Sequence, residues 1–451
     1  MPSTPATTHP AADSQSTTTP SAVDILIVGA GPAGMALASA LLAQGRADDA
    51  MPRSILLIDR RTQSSDDDPR ALALAEGSRR LLRALGAWPA DAATPIRRIH
   101  VSQRGAFGRA ILDAADGADA PFARSPRQHG GDALGHVLRY GALHAALAKT
   151  LAPSATTRAP GSPPAATHLQ LFGGSQVRTI RAGGDNAVVT LDIAGRPHTL
   201  TARLVVHAEG ESDAAATRIR DYGQCAIVAE VGLPRGQTHG GVAWERFTRD
   251  GPLALLPMGE GFSLVYTVRA ERLADLLAED DSRFLARLNR DFGGRFALST
   301  ISPRHAFPLA LRLRRAVLAP REVWIGAAAQ TLHPVAGQGF NLGLRDAWTL
   351  AHAIGASRDD DGTTGDPGDA RRLARWAQQR RQDRLGTAAI TDGLIRVFGS
   401  ALPPVALLRG AGLATLDLCP PLRRALTRRM MFGADPVAAT PTSPTDPATP
   451  A

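Results

Sequence analysis

The sequence predicts an α/β fold in which a Rossmann-like nucleotide-binding unit is joined to a strand-rich α+β part, with helices at the C-terminal end. Three observations predict it. Residues 24–34, DILIVGAGPAG, lead an apolar strand into a glycine turn and then a helix. Residues 324–346, WIGAAAQTLHPVAGQGFNLGLRD, make a second strand–turn–helix passage about 300 residues later. Between them, residues 106–112 and 224–268 carry short apolar runs punctuated by glycine and proline, the pattern of strands and tight turns.

In the first passage Ile25 to Val28 are continuously apolar, as a buried parallel strand should be. Gly29, Gly31 and Gly34 then give G-x-G-x-x-G, whose glycines permit a tight turn, a close pyrophosphate and close helix–strand packing. Pro32 falls at the first helical position, where a missing N–H costs nothing. The next apolar run, Ile55 to Ile58, ends in Asp59, an acid suited to hold ribose hydroxyls. Residues 46–53, RADDAMPR, lengthen the connection, so Asp59 stands further beyond Gly34 than the usual ~20 residues. This order reads as a dinucleotide site, and the motif alone admits NAD, NADP or FAD. No second G-x-G-x-x-G follows. One dinucleotide is therefore held by this fold, and any second must bind without a Rossmann unit of its own.

The second passage has a different use for glycine. Gly337, Gly339 and Gly343 let the backbone come close to a flat group, and the N–H groups gathered at the start of the Phe340 helix favour partial negative charge. Such a nest suits the electron-rich edge of a cofactor ring.

Composition narrows the class. A chain of 451 residues can bury a large core and divide into two interleaved domains. Cys225 and Cys419 form no C-x-x-C pair, and the twelve histidines show no ligand spacing, so neither a disulfide framework nor a metal is expected. The net charge of +9 is almost wholly arginine, Lys149 being the only lysine, which argues against Schiff-base chemistry. No basic stretch is interleaved with aromatics, so nucleic-acid binding is not expected. No apolar run reaches the ~18–20 residues of a membrane span. Residues 1–21 and 433–451 read as disordered tails, the first without the apolar centre of a signal peptide. Residues 153–164 and 358–369 read as solvated loops. Together these features lead us to expect a cytoplasmic enzyme.

Five blocks together resemble one family, the FAD-dependent aromatic monooxygenases, and within it the ubiquinone-biosynthesis hydroxylases, nearest the 2-polyprenyl-6-methoxyphenol hydroxylase branch. They are DILIVGAGPAG, residues 68–88 (DPRALALAEGSRRLLRALGAW), residues 221–231 (DYGQCAIVAEV), residues 245–258 (ERFTRDGPLALLPM) and the block ending at Asp346. The resemblance spans residues 24–398. It implies a Rossmann-like FAD-binding domain (residues 22–93, 134–221 and 323–354) interleaved with a mainly antiparallel substrate domain (94–133 and 222–322), followed by a helical region (369–432). Gly29, Gly31, Gly34 and Asp59 would hold the ADP half of FAD. Arg70 would lie along the flavin side of the pocket, or else is a surface arginine at a helix start. Pro334, Gly337, Gly339 and Asn341 would put backbone beside the isoalloxazine. Residues 251–257 would wall the substrate pocket through Pro252, Leu253 and Leu255, or form an ordinary core strand. His333 would touch substrate or tune the ring, or simply satisfy its turn. NADPH or NADH would be the transient reductant, dioxygen the co-substrate, and a flavin hydroperoxide the oxygen donor to an electron-rich phenol.

Two positions depart from the family pattern. Gly326 is followed by Ala327 where Asp or Asn is usual, which removes a ribitol hydrogen bond of ~0.5–1.5 kcal/mol. Glu209-Gly210 stands where Asp-Gly is usual, adding a methylene. The C-terminal region reads as a long helix over residues 369–398, with Ile390, Leu394 and Val397 on one face, and two shorter apolar segments over 402–432. Leu422, Leu426 and Met430 recur beside Arg423, Arg424, Arg428 and Arg429. That is a basic amphipathic helix, able to lie on an anionic inner-membrane surface, dock a partner in a biosynthetic complex, or pack on the enzyme's own core. Three functions stay open at this point: hydroxylation of a polyprenyl phenol for ubiquinone, hydroxylation of a soluble aromatic compound, and a flavin-binding scaffold subunit without turnover.

Overall fold

The computed structural model describes residues 20–45, 53–62, 68–117, 133–152, 167–210, 213–355, 365–400 and 402–434. The tails and loops expected at residues 1–19, 46–52, 153–164, 358–364 and 435–451 lie outside them.

Two large sheets organise the chain. The first has a parallel centre in which Glu322–Trp324, Arg196–His207, Ala22–Val28, Ser54–Ile58 and His168–Phe172 lie side by side. Both faces are buried from Ile25 to Val28, which is why that part of Ala22–Val28 is apolar without alternation. Ile25 and Ile27 face the core shared with the helices Pro32–Gln44, Tyr140–Leu151 and Gln338–Gly355. Leu26 and Val28 face a second core, formed with the antiparallel strands Ser175–Gly183 and Asn186–Ile193 that fold back over the sheet. Pro32–Gln44 is apolar on nearly all sides because it is buried on nearly all sides.

The second sheet is antiparallel except where Val242–Phe247 runs parallel to Arg98–Gln103. Its other main strands are His305–Arg314, Thr217–Gly232, Gly261–Arg269, Pro252–Met258 and Arg109–Asp113. One face packs Leu253, Leu255, Phe262 and Leu264 against the helices Leu273–Ala278 and Asp281–Asp291. The expected division at residue 221 cuts through the strand Thr217–Gly232, which belongs wholly to this sheet. Leu318–Ala319, expected in the second part, pairs with Glu322–Trp324 in the first. In both places the change of sheet falls in a turn that carries no composition signal.

A small third sheet, Ala71–Ala75, Gly135–Arg139 and Thr94–Ile96, joins the two. The C-terminal region is three helices. Ala370–Gly399 is capped by Asp369, whose carboxylate accepts from the Arg372 N–H at 2.7 Å. Pro403–Leu418 and Pro420–Phe432 each start with proline, and Gly433 (φ 84°) ends the last.

Candidate active site

Register brings the glycine loops together. Ile58, Val28, His207 and Trp324 are adjacent residues at the carboxyl ends of four neighbouring parallel strands. The next residues are Asp59, Gly29, the Glu209-Gly210 pair just beyond Ala208, and Gly326 just beyond Ile325. Four of the sequence-predicted segments therefore leave one edge of one sheet, the place where open α/β sheets bind ligands.

The glycines there are forced. Gly29 has φ 107°, and a Cβ on it would lie 2.6 Å from the Glu209 nitrogen. A Cβ on Gly34 would lie 2.0 Å from the Gly29 carbonyl oxygen. Gly31 is different: an added Cβ meets nothing nearer than the Tyr140 hydroxyl at 3.8 Å. No protein neighbour excludes a side chain there, so the room is left for something else. Among the described residues, the N–H groups of Gly31, Ala33 and Gly34 meet no acceptor at this helix start. A cradle of free donors with an open Gly31 fits the pyrophosphate of a dinucleotide.

Asp59 is partly engaged already. One oxygen accepts from the Ala30 N–H at 2.8 Å and the other from the Arg61 N–H at 2.8 Å and its Nε at 3.3 Å. Burial alone would raise its pKa, but these bonds outweigh it and hold the carboxyl below its ordinary range. A carboxylate has about four acceptor positions, so one remains for a ribose hydroxyl. Glu209 turns its extra length toward His207, whose Nδ1 is 3.2 Å away. His207 also meets Glu322 through Nε2 at 2.9 Å and stacks on Trp324. Burial would lower the His207 pKa, yet the two carboxylates hold it above the ordinary value. Gly326 (φ 58°) packs against Ala33 and Gly343, with a Cβ only 3.0 Å from the Ala33 Cβ. Ala327 beside it is exposed.

The turn of the second passage, from Pro334 to Asn341, makes the wall of a cavity of about 650 Å³. Pro334, Gly337, Gly339 and Asn341 all line it, and Arg70 does so from across the small sheet. Arg70 is exposed but not free. It pairs with Asp68 at 2.6 Å and lies over the Tyr140 ring at 4.9 Å. Asn341, 1% exposed, uses its side chain as a four-way tie. Its Oδ1 accepts from the Ala75 N–H at 2.8 Å and the Ser78 hydroxyl at 2.7 Å. Its Nδ2 donates to the carbonyls of Ala73 at 2.9 Å and Gly337 at 2.7 Å. It thereby locks Ala71–Ala75 to the helix Gln338–Gly355. His333 does not line the cavity. Its Nδ1 accepts from the Val335 N–H at 3.2 Å, its Nε2 has no partner, and burial pushes it down to about 4. It is a neutral turn residue.

The floor of the cavity is one face of the second sheet. Alternation puts Ala243, Glu245 and Phe247 on that face, beside Pro252, Ala254 and Leu256 of the next strand. Pro252 therefore lines the cavity as expected. Leu253 and Leu255 do not: they point to the opposite face and are fully buried among Phe262, Leu264 and Phe284. The cavity residues of this strand are Ala254 and Leu256 instead. Sequence reasoning also missed Glu245, although a carboxylate sharing a face with Ala243 and Phe247 breaks the apolar alternation of its strand.

The C-terminal helices close the roof through Ile390, Leu394, Phe398, Leu413, Leu426 and Met430. A buried ion network holds them there. Arg345 Nε meets Asp383 at 2.8 Å, and Arg380 meets Asp346 at 2.8 Å and Asp383 at 2.9 Å. Asp346 also accepts from Gln330 at 2.7 Å. Burial would raise the Asp383 pKa, but the Arg345 and Arg380 charges hold it low. Among the described residues, no cluster of His, Cys, Asp and Glu could hold a metal.

Comparison with known proteins places this site in a class. Residues 22–365 match the FAD binding domain family. Ubiquinone hydroxylase UbiL of Rhodospirillum rubrum is 33% identical over 423 residues, covering 90% of this chain and 89% of that protein. The 3-demethoxyubiquinol 3-hydroxylase of Escherichia coli is 28% identical, covering 89% of this chain and 96% of its own length. The crystal structure of p-nitrophenol 4-monooxygenase PnpA from Pseudomonas putida superposes with a TM-score of 0.66 at 14% identity, over 91% of this chain and 98% of that one, and shares the fold. The chain belongs to the FAD-binding aromatic monooxygenases. Within them it is a ubiquinone-biosynthesis FAD hydroxylase. FAD is its cofactor, and the monooxygenase family implies NAD(P)H as reductant and dioxygen as co-substrate.

Proposed function

We propose that this hydroxylase acts on the aromatic ring of a polyprenyl phenol on the way to ubiquinone, as in the 2-polyprenyl-6-methoxyphenol branch, and takes it from a membrane surface. The observation that carries this reading is the cavity itself. Its wall is the glycine-rich turn, its floor is a sheet face apolar but for Glu245, and its roof is formed by three helices, of which Pro403–Leu418 carries leucines on its outer side. FAD reduced by NAD(P)H would supply, with dioxygen, the oxygen-transfer chemistry. Gly29, Gly31, Gly34 and Asp59 would hold its ADP half, and Gly337, Gly339 and Asn341 would set the backbone beside its ring. The apolar floor and roof would exclude water and orient the phenol.

Among the described residues no single helix is long and apolar enough to cross a membrane. Pro403–Leu418 and Pro420–Phe432 pass together on length and composition but bend by 94°. On Pro420–Phe432, Leu426 and Met430 face the cavity and Arg423 pairs with Asp116 at 2.8 Å, while Leu422 is exposed. The outward leucines belong mainly to the preceding helix: Leu408 is 72% and Leu418 82% exposed, next to Leu402 and Leu407. These exposed leucines support Pro403–Leu418 as the proposed membrane-facing helix. A prenyl tail gains ~0.8 kcal/mol per CH₂ by staying out of water, which favours uptake directly from lipid.

The test uses the FAD-loaded enzyme with one phenol in prenylated and unprenylated forms, followed by product mass. Faster hydroxylation of the prenylated form supports the reading, and equal or faster turnover of the unprenylated one replaces it with a soluble aromatic substrate. Flotation with anionic liposomes should fall when Leu407, Leu408 and Leu418 are changed to Ser. Unchanged flotation would remove the membrane from the proposal.

A further inference from the structure

Glu245 is an acid in an apolar room. It lies in the middle of the strand Val242–Phe247, where its direct neighbours across the two ladders are Val101 and Ala254. Alternation sends its side chain into the cavity, and it is the only carboxylate among the described residues lining that cavity. Among the described residues, no hydrogen bond or ion pair reaches it. It is only partly covered, but its free surface opens into the cavity. Among the described residues, the strands on either side of it bring no compensating charge to this face. Arg98–Gln103 presents Ile99 and Val101, and Pro252–Met258 presents Pro252, Ala254 and Leu256. Arg246 and His100 lie on the opposite side of the sheet. The two cationic wall residues are Arg70, already tied to Asp68, and Arg429 on the roof.

We propose that Glu245 is a catalytic residue that accepts the hydrogen bond, and then the proton, of the substrate's phenolic hydroxyl. This deepens the proposed function and rests on its phenol substrate. The cavity offers an acid no structural task, and a carboxyl left without a partner at a concave site is there to meet a ligand. Burial among apolar side chains pushes the carboxyl up to about 7. A free phenol has a pKa of about 10, so transfer is uphill in the resting complex and completes only as the ring is attacked. The phenolic O–H bond breaks, its electron pair stays on oxygen, and the proton moves to a Glu245 Oε. The ring becomes electron-rich at its ortho and para carbons, where the new C–O bond forms with oxygen from dioxygen. The ring carbon then loses its own proton to water, and the original oxygen takes back the proton that Glu245 held. The carboxylate is restored, and the ring carbon it favours is fixed by where the hydroxyl is anchored.

The experiment compares native, Glu245→Gln and Glu245→Asp proteins, all FAD-loaded, with a short-chain prenylated methoxyphenol and its methyl ether. Retained flavin absorbance reports that each variant folds. Binding is read from the change in flavin fluorescence. The native enzyme should prefer the phenol to the ether by about tenfold or more, as a charge-assisted hydrogen bond predicts. Glu245→Gln should lose most of that preference, and its kcat/KM should lose the limb that rises around pH 7. It should still oxidise NAD(P)H in the presence of the phenol while releasing hydrogen peroxide in place of product. Glu245→Asp, which keeps a carboxylate, should retain the limb. If Glu245→Gln discriminates phenol from ether as well as the native enzyme and keeps its pH limb, the proposal falls while the substrate reading stands. If the native enzyme itself binds neither compound, both fall.

Discussion

Removing the Asn341 side chain should be costly in a way that distinguishes a tie from a mere space-filler. Asn341→Ala deletes four hydrogen bonds at once: those from the Ala75 N–H and the Ser78 hydroxyl, and those to the Ala73 and Gly337 carbonyls. Each is worth ~0.5–1.5 kcal/mol net, and a buried backbone group left without its partner costs ~1–3 kcal/mol. The sum allows about 3–5 kcal/mol. At about 1 °C per kcal/mol for a chain of this size, the thermal midpoint should fall roughly 3–5 °C. Asn341→Asp sharpens the argument. Its Oδ1 would still accept from Ala75 and Ser78, but its other oxygen would face two carbonyl oxygens in place of the amide that now donates to them. It should therefore lose at least as much as alanine, despite matching asparagine in shape. Circular dichroism during heating reads the midpoint, and the ratio of flavin to protein absorbance after desalting reads whether the Gly337 wall has moved. An Asn341→Asp protein within about 1 °C of native would refute the reasoning.

Three further outcomes are expected. Ala327→Asn should tighten FAD binding by up to about tenfold in a flavin-fluorescence titration, because it supplies the ribitol contact that alanine lacks; equal affinity would show that the ribitol lies elsewhere. Asp383→Ala should cost about 3–5 kcal/mol in chemical denaturation, since Arg345 and Arg380 are left buried with one carboxylate between them, and a loss below about 1 kcal/mol would mean that water or rearrangement compensates. Glu245 should make native stability fall with pH. Its folded pKa of about 7 stands above the ordinary 4.5, so the native state holds the proton longer than the unfolded one, and stability is lost as pH rises from 4.5 through 7. The full displacement corresponds to about 3 kcal/mol, and water in the cavity reduces it to about 1–3 kcal/mol. Glu245→Gln should consequently be the more stable protein at pH 8 and no more stable at pH 4, with parallel curves counting against a raised pKa.

The glycine passages were legible because their geometry is local. A strand, a positive φ and a helix start lie within a dozen residues, so Gly29 and Gly34 could be read directly. The start of the long C-terminal helix near Asp369 was legible for the same reason. The floor of the cavity was not. Residues 252–258 are apolar on both faces because both faces are buried, one by the helix-backed core and one by the cavity. Parity is invisible in such a strand, and Leu253 and Leu255 were expected in the cavity although Ala254 and Leu256 occupy it. Asn341 was read for its backbone, whereas its side chain is tied to Ala73 and Ala75, some 265 residues away in sequence. The C-terminal helices showed amphipathic spacing, but spacing alone does not say which of two apolar sides meets the protein.

The row of strand ends that gathers Asp59, Gly29, Glu209 and Gly326 also sets a timetable for synthesis. Glu322–Trp324 docks beside Arg196–His207 only after nearly three-quarters of the chain has been made. At ~5–20 residues per second, Gly29 waits roughly 15–60 s on the ribosome before the Gly326 turn can arrive. Until then one edge of the parallel sheet lies open beside Arg196–His207, exposed to other nascent chains. FAD encountered early would find a half-built cradle, so cofactor loading should follow synthesis of the Gly326 turn.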